Sequence, residues 1–216
     1  MLKKLVIAGY GGFAKEVKWL VERINTVKPE WEFLGYIDCA TSAKEVIGND
    51  DFVCNHNEEL YAAIAVGSSQ LRKRIYEKYK QNENIHFPNL LDPSVIISEK
   101  IKLGIGNIIC AGSILTVDIS IGNFNMINLN CTIGHDVVIK DFVTINPNVN
   151  ISGNTLIETN ASIGTGVQII QGLRIGENSI VAAGTVIKKN LKDNCIASGN
   201  RAKTMQIPEG AAGFLF

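Results

Sequence analysis

The 216-residue chain is short of the residues that most often advertise a chemistry. It has three histidines (His56, His86, His135), and no two stand at a metal-ligand spacing. Its five cysteines (Cys39, Cys54, Cys110, Cys131, Cys195) are an odd number with no CxxC pair, which points away from a disulfide framework and from a structural zinc site. Charge of either sign is not in excess: 21 basic and 21 acidic residues cancel, so no broad attraction to nucleic acid or to an acidic membrane is expected. No apolar run reaches membrane-spanning length, and the glycine-rich start MLKKLVIAGYGG is too short for a secretory signal. The expectation is a soluble, cytoplasmic protein with free thiols and no bound metal.

What the chain does have is a period. From Ile97 onward every sixth residue is a branched aliphatic, through Ile109, Ile121, Ile133, Ile145, Ile157, Ile169 and Val181 to Ile187, sixteen positions without a slip. Six fits neither a helix face nor a simple strand alternation. It fits short strands with a turn at every sixth residue, stacked as a parallel β-helix in which three hexads make one coil. Small or β-branched residues recur four positions after the aliphatic (Ser113, Cys131, Val137, Ala161 and Thr185 among them), a size suited to the narrow inside of a triangular prism. Glycine follows the aliphatic at Gly104, Gly122, Gly134, Gly164 and Gly176, where corners are expected to need unusual backbone angles.

Ahead of the repeat the pattern changes. KKLVIA (3–8) reads as a buried strand. It runs into Gly9, Gly11, Gly12 and Phe13, then a helix with Val17, Leu20, Val21 and Ile24 on one face. A second strand (33–37) ends at Asp38, and a third (61–67) ends at Gly67, where Ser68 opens a charged helix carrying Arg72. This is the start of a Rossmann-like βαβ domain. A glycine turn before a helix lets backbone N–H groups approach a diphosphate, and an acid at the end of the second strand suits a ribose or base. The full GxGxxG fingerprint is absent, with Ala14 in its last position, so the turns alone fit a domain that binds nothing about as well. Position tips the balance: 9–13, Asp38 and 67–69 all lie at carboxyl ends of strands, where such sheets hold ligands. Residues 40–58 read as polar loop with a solvated His56, and His86 as packing before a linker marked by Pro88 and Pro93. After Ile187 the six-residue phase stops, and the tail ends in Phe214, Leu215 and Phe216. The expected divisions are 1–90, 91–190 and 191–216.

One histidine falls inside the repeat. His135 comes two residues after an inward isoleucine, so its ring points out of the prism, and Asp136 follows it. An aliphatic solenoid has no packing reason for that pair. An imidazole, with an unperturbed pKa of about 6.5, suits general-base work, although a solvated surface histidine is the plainer alternative.

The order of parts is similar to that of the bacterial sugar O- and N-acetyltransferases of the hexapeptide-repeat class. The likeness rests on the GYGGFAKEV turn and helix, the AVGSSQLRKRI strand and helix, and coils with Asn128 and His135 seven apart. The resemblance implies a left-handed β-helix assembled as a homotrimer, with acetyl-CoA as co-substrate in the groove between neighbouring prisms. It also implies a nucleotide-linked sugar reaching from Gly9, Gly11, Gly12, Phe13, Asp38, Gly67, Ser68 and Arg72 to His135. His135 would be the base and Asp136 its orienting acid. Asn128 would hold the nucleophile, and the Gly153 N–H would meet the oxyanion. Thr144, Gly164, Ala182 and Ala183 would line the pantetheine path. Thr144 stands where some relatives have a second histidine, Arg201 where proline is common, and Ala182-Ala183 where glycine is more frequent. N-acetylation of a nucleotide-linked 4-amino-6-deoxy sugar leads the readings, with O-acetylation of a sialic acid or related sugar second. A γ-type carbonic anhydrase would need three histidines on one zinc, and the repeat has one. A non-catalytic trimeric scaffold is the remaining alternative.

Overall fold

A computed structural model describes residues 1–39, 43–200 and 202–207. Arg201, Phe214, Leu215 and Phe216 lie outside the described residues. The N-terminal part runs β1 (Lys3–Ala8), α1 (Gly12–Val27), β2 (Trp31–Ile37), β3 (Val46–Gly48), α2 (Asp50–Cys54), β4 (Leu60–Ile64), α3 (Ser69–Tyr79) and β5 (Ile85–His86). All five strands pair in parallel, in the order β3-β2-β1-β4-β5. Leu5, Val6, Ile7 and Ala8 of the central strand are fully buried, the continuous apolar run expected of a strand covered on both faces. α1 covers one face with Ala14, Val17, Leu20 and Val21, while Val53 of α2 and Tyr79 of α3 join the cluster on the other. Because β2 and β4 flank β1 on opposite sides, the chain reverses its order there, and a crevice opens at the carboxyl ends.

From β6 (Leu90–Leu91) to Val186–Ile187, seventeen two-residue strands wind a three-sided β-helix, the first fourteen each pairing in parallel with the strand eighteen residues on. The aliphatic of every hexad from Ile109 to Ile187 is at most 4% exposed, and the residues four positions later (Ser113, Cys131, Val137, Thr155, Ala161 and Thr185 among them) are buried beside it. The hexad spacing therefore reaches one strand further upstream than Ile97, to Leu91. It also does not stop cleanly at Ile187: Leu191 bridges Ile175 and Ala197 pairs with Val181, so the last coil continues with its pitch shortened from eighteen residues to sixteen.

Two local expectations change. Within 40–58, Val46–Gly48 adds an edge strand beside Tyr36 and Ile37. Asn49 then caps α2, its Oδ1 accepting the Asp51 N–H at 2.9 Å. The glycines that follow the aliphatic do not carry the unusual backbone. Left-handed φ falls two residues later, at Asp118, Phe124, Asn130, Asp136, Phe142, Asn148, Asn154, Asn160 and Asn178, which asparagine and aspartate tolerate better than most side chains. Glycine is needed after the aliphatic for a different reason: a Cβ on Gly134 would sit 2.7 Å from the Gly153 nitrogen, and one on Gly164 2.6 Å from the Ala183 nitrogen. Successive coils touch there through backbone. The histidines outside the repeat also differ from expectation. His86 is exposed with its ring against Tyr61, and His56 is half-buried against Phe52 with Nε2 unpartnered.

Candidate active site

The prism has three edges, and the register says what each carries. Asn130 and Asn148 turn the first, Asp136 and Asn154 the second, Phe124 and Phe142 the third. The N-terminal domain packs on the face between the first and third edges. Leu90, Ile108, Cys110 and Leu129 join the α1 cluster there, while Phe124 and Phe142 join the cluster of Tyr79 and Tyr76. Arg23 of α1 reaches Asp92 beside β6 through two bonds of 2.6 and 3.0 Å. The second edge, which carries His135, therefore lies on the far side of the prism from its own chain's N-terminal domain.

On that edge His135 Nδ1 stands 2.8 Å from Asp136 Oδ2, and both side chains are more than half exposed. The imidazole lies on Gly153 of the next coil: a Cβ there would be 2.5 Å from both Cε1 and Nε2 of the ring. The His135 carbonyl accepts the Asn154 N–H at 2.8 Å, which ties the two coils together at this point. The Gly153 N–H has no acceptor among the described residues. Asn128 sits by the first edge, where its Oδ1 accepts the Leu129 N–H at 2.8 Å and its backbone N–H donates to Ile145. Asn128, Asn146, Gly164 and Ala182 follow one another at eighteen-residue intervals along that edge, with Ala183 exposed beside Gly164. One face of the prism, about six residues, separates Asn128 from His135, about 20 Å at the rise of extended chain.

The crevice of the N-terminal sheet is a cleft of about 250 Å³ lined by Gly9, Ile37, Asp38 and Val66, with Arg74 and Lys78 facing it from α3. Gly9 has φ +106, where glycine is at ease. Gly11 and Gly12 have neither a left-handed φ nor any atom within 4 Å of a Cβ, so their bareness leaves open space before the uncapped first turn of α1. Phe13 is partly buried against the α1 cluster. Ser68 caps α3, accepting the Leu71 N–H. Arg74, Lys78 and the Asp50 carboxylate that pairs with Lys78 escaped the sequence reading. The available signal was the four-residue spacing of Arg74 and Lys78, which puts both on one face of α3.

Two expected contacts are placed elsewhere. Arg72 is 1% exposed, and every N–H of its guanidinium is turned to protein acceptors, so it has none left for a sugar nucleotide. Burial pushes its pKa down to about 9, which leaves it cationic at neutral pH. Thr144 is 7% exposed and holds Gly67 O and Arg72 with its hydroxyl, so it packs against its own N-terminal domain and not on an open cofactor path. Burial also raises Cys110 to about 12 and Cys131 to about 11, so neither thiol is a ready nucleophile. Among the described residues no group of three His, Cys, Asp or Glu side chains could hold a metal ion, and no helix is long and apolar enough to cross a membrane.

Residues 4–79 match the family described as the PglD N-terminal domain, and residues 154–189 match the bacterial transferase hexapeptide (six repeats). The chain joins a PglD N-terminal domain to bacterial transferase hexapeptide repeats. Solved structures share the whole arrangement, an N-terminal α/β domain followed by a left-handed β-helix. The acetyltransferase domain of PglB from Neisseria gonorrhoeae, in complex with acetyl coenzyme A, is 27% identical with a TM-score of 0.88, over 95% of this chain and 100% of that one. PerB from Caulobacter crescentus, in complex with CoA and GDP-perosamine, is 26% identical with a TM-score of 0.85, over 95% and 98%. WeeI from Acinetobacter baumannii is 28% identical with a TM-score of 0.83, over 94% and 100%. Among curated proteins there is no significant match.

Proposed function

We propose that this acetyltransferase moves the acetyl group of acetyl-CoA to the 4-amino group of a nucleotide-linked amino-deoxy sugar. The observation that carries the reading is the His135–Asp136 pair seated on Gly153. With Nδ1–H donated to the carboxylate, Nε2 keeps the lone pair and is the atom that takes the proton from the attacking amine. The amine nitrogen bonds to the thioester carbon and the carbonyl oxygen gains charge. The unpartnered Gly153 N–H is a donor for that oxygen. The C–S bond then breaks and the proton held on Nε2 passes to the departing sulfur, releasing CoA thiol and restoring the neutral imidazole. The protein's share is orientation of two bound substrates and the relay of one proton from amine to sulfur, with no covalent intermediate.

The nucleotide is assigned to the N-terminal cleft, its diphosphate toward Gly11, Gly12 and the start of α1, with Arg74 and Lys78 as cationic partners and Asp38 toward the ribose or base. The register adds a condition. Within one chain the cleft and Asn128 lie on one side of the prism and His135 on the other, so the complete site takes His135 from a neighbouring copy, as in the homotrimer. Exposed Ile96, Val117 and Ile170 on the prism surface are consistent with such a neighbour. Gly164, Ala182 and Ala183 then flank the inter-prism groove assigned to the pantetheine arm.

A panel of nucleotide-linked amino sugars and free hydroxyl sugars with acetyl-CoA, followed by free thiol release, tests the activity. Amine acceptors should react and the His135→Ala protein should not. Faster release with a sialic acid would replace this reading by O-acetylation. Mixing His135→Ala with Asp38→Ala subunits should restore activity at roughly one site in four, the random-mixing expectation for a cyclic oligomer. No recovery would place both halves of the site in one chain.

A further inference from the structure

Among the described residues, the interior holds one buried cation whose cost its own packing does not explain. Arg72 leaves α3 and enters the seam between the N-terminal domain and the β-helix. Its Nε donates to Phe124 O at 2.8 Å. Nη1 reaches Val66 O at 2.7 Å, Gly67 O at 3.2 Å and Met126 Sδ at 2.9 Å, and Nη2 reaches Phe142 O at 2.9 Å, Val143 O at 3.3 Å and Thr144 Oγ1 at 3.0 Å. No carboxylate pairs with it among the described residues. A buried charge without a counter-ion is expensive, and a methionine of similar volume would fill the seam without that penalty. What a methionine cannot do is hold three sets of backbone carbonyls at fixed distances. Phe124 and Phe142 are on successive coils. Val66 and Gly67 form the turn at the end of β4, immediately before the Ser68 cap of α3. Thr144 closes the triangle by donating to Gly67 O at 3.0 Å.

We propose that Arg72, with Thr144, is a positioning residue that locks the 66–68 turn of the nucleotide cleft to two coils of the β-helix and thereby sets where the acceptor sugar is delivered. This rests on the reading of that cleft as a nucleotide-sugar site. The fork is the essential part. A lysine would keep the charge and lose the simultaneous grip on two coils and the turn.

Arg72→Lys and Thr144→Val are the informative variants, since Arg72→Met strips the seam carbonyls of the donors that Arg72 supplies and tests the fold as well as the lock. Three readouts separate the possibilities. Amide exchange at 67–71 should quicken at least tenfold in both variants, with or without nucleotide, while the coils keep their protection. Nucleoside diphosphate affinity, measured by calorimetry with UDP, TDP and GDP, should stay within about twofold of the parent. The kcat for the nucleotide-linked amine should fall tenfold or more. Wild-type exchange rates at 67–71, or equal losses in affinity and kcat, would overturn the positioning role. If the unaltered protein binds no nucleoside diphosphate, the cleft reading fails and the delivery role with it, whereas the exchange result still judges the lock itself.

Discussion

A single methyl group beneath His135 should separate activity from stability. In Gly153→Ala the new Cβ would lie 2.5 Å from Cε1 and Nε2 of the ring and 2.9 Å from Cδ2. Ordinary carbon contacts are about 3.5–4.0 Å, so the imidazole must lift by about 1 Å. It can, because the side chain is more than half exposed and the obstacle is movable. Gly153 lacks a left-handed φ, so alanine is not strained there. Forcing the ring off its rotamer costs about 0.5–1.5 kcal/mol, and the lower entropy of an unfolded alanine returns about 0.4–1 kcal/mol. The melting temperature should thus move by no more than a few degrees. Misplacing a catalytic group by about 1 Å costs on the order of 100-fold in rate, near 2.7 kcal/mol of barrier. Gly134→Ala gives the contrast: its Cβ would meet the Gly153 backbone nitrogen at 2.7 Å, which cannot step aside, so stability falls first. Steady-state thiol release and thermal denaturation of the two proteins side by side decide the matter. A Gly153→Ala protein with wild-type kcat would refute the role given to the seated imidazole.

Two further outcomes bear on the frame that carries the site. Asn125 Oδ1 accepts the buried Val143 N–H at 2.7 Å, so Asn125→Ala strands that donor and should cost about 1–3 kcal/mol, lowering the melting point by roughly 2–10 °C in thermal denaturation. Burial alone would raise the Asp92 pKa, but the bonds from Arg23 and Ser94 outweigh it and hold the carboxyl below its ordinary value. The stability this contributes is present above the ordinary carboxylate range, near pH 4, and is lost as pH falls through the depressed folded value. Asp92→Asn should therefore melt lower than the parent at pH 7, and the gap should close between pH 4 and pH 2; a gap constant over that range would show that the charge is not what binds Arg23.

The β-helix was legible because its signal is one residue type at one spacing, and the buried aliphatics repeat it from Ile109 to Ile187. β1 and the apolar face of α1 were legible for the same reason. What failed was information carried by backbone meeting backbone. Gly134 looks like a corner glycine in the sequence, yet it exists because coils touch, and nothing in the sequence shows that Gly153 lies under an imidazole. The left-handed corners fall on asparagine, aspartate, glycine and even phenylalanine, so no one residue type marks them. Arg72 shows a second limit. On a charged helix next to a glycine turn it reads as a ligand contact, and only the carbonyls of Phe124 and Phe142, more than fifty residues away, reveal that it points inward.

The same register that makes the prism regular also explains why the His135–Asp136 pair can sit on it at little cost to the fold. Inward positions of each hexad are fixed by packing, and the residue three beyond the aliphatic is fixed by its φ, but the position between them on the corner faces solvent. His135 occupies such a position, and Gly153 occupies the equivalent one a coil later, buried beneath the ring. A side chain larger than hydrogen at 153 would have filled the shelf on which the ring rests. The imidazole and its seat are thus separated by eighteen residues and specified together, so a second such edge on this prism would require another outward imidazole with glycine eighteen positions downstream. His135 is the only histidine in the repeat, so each chain carries one such edge.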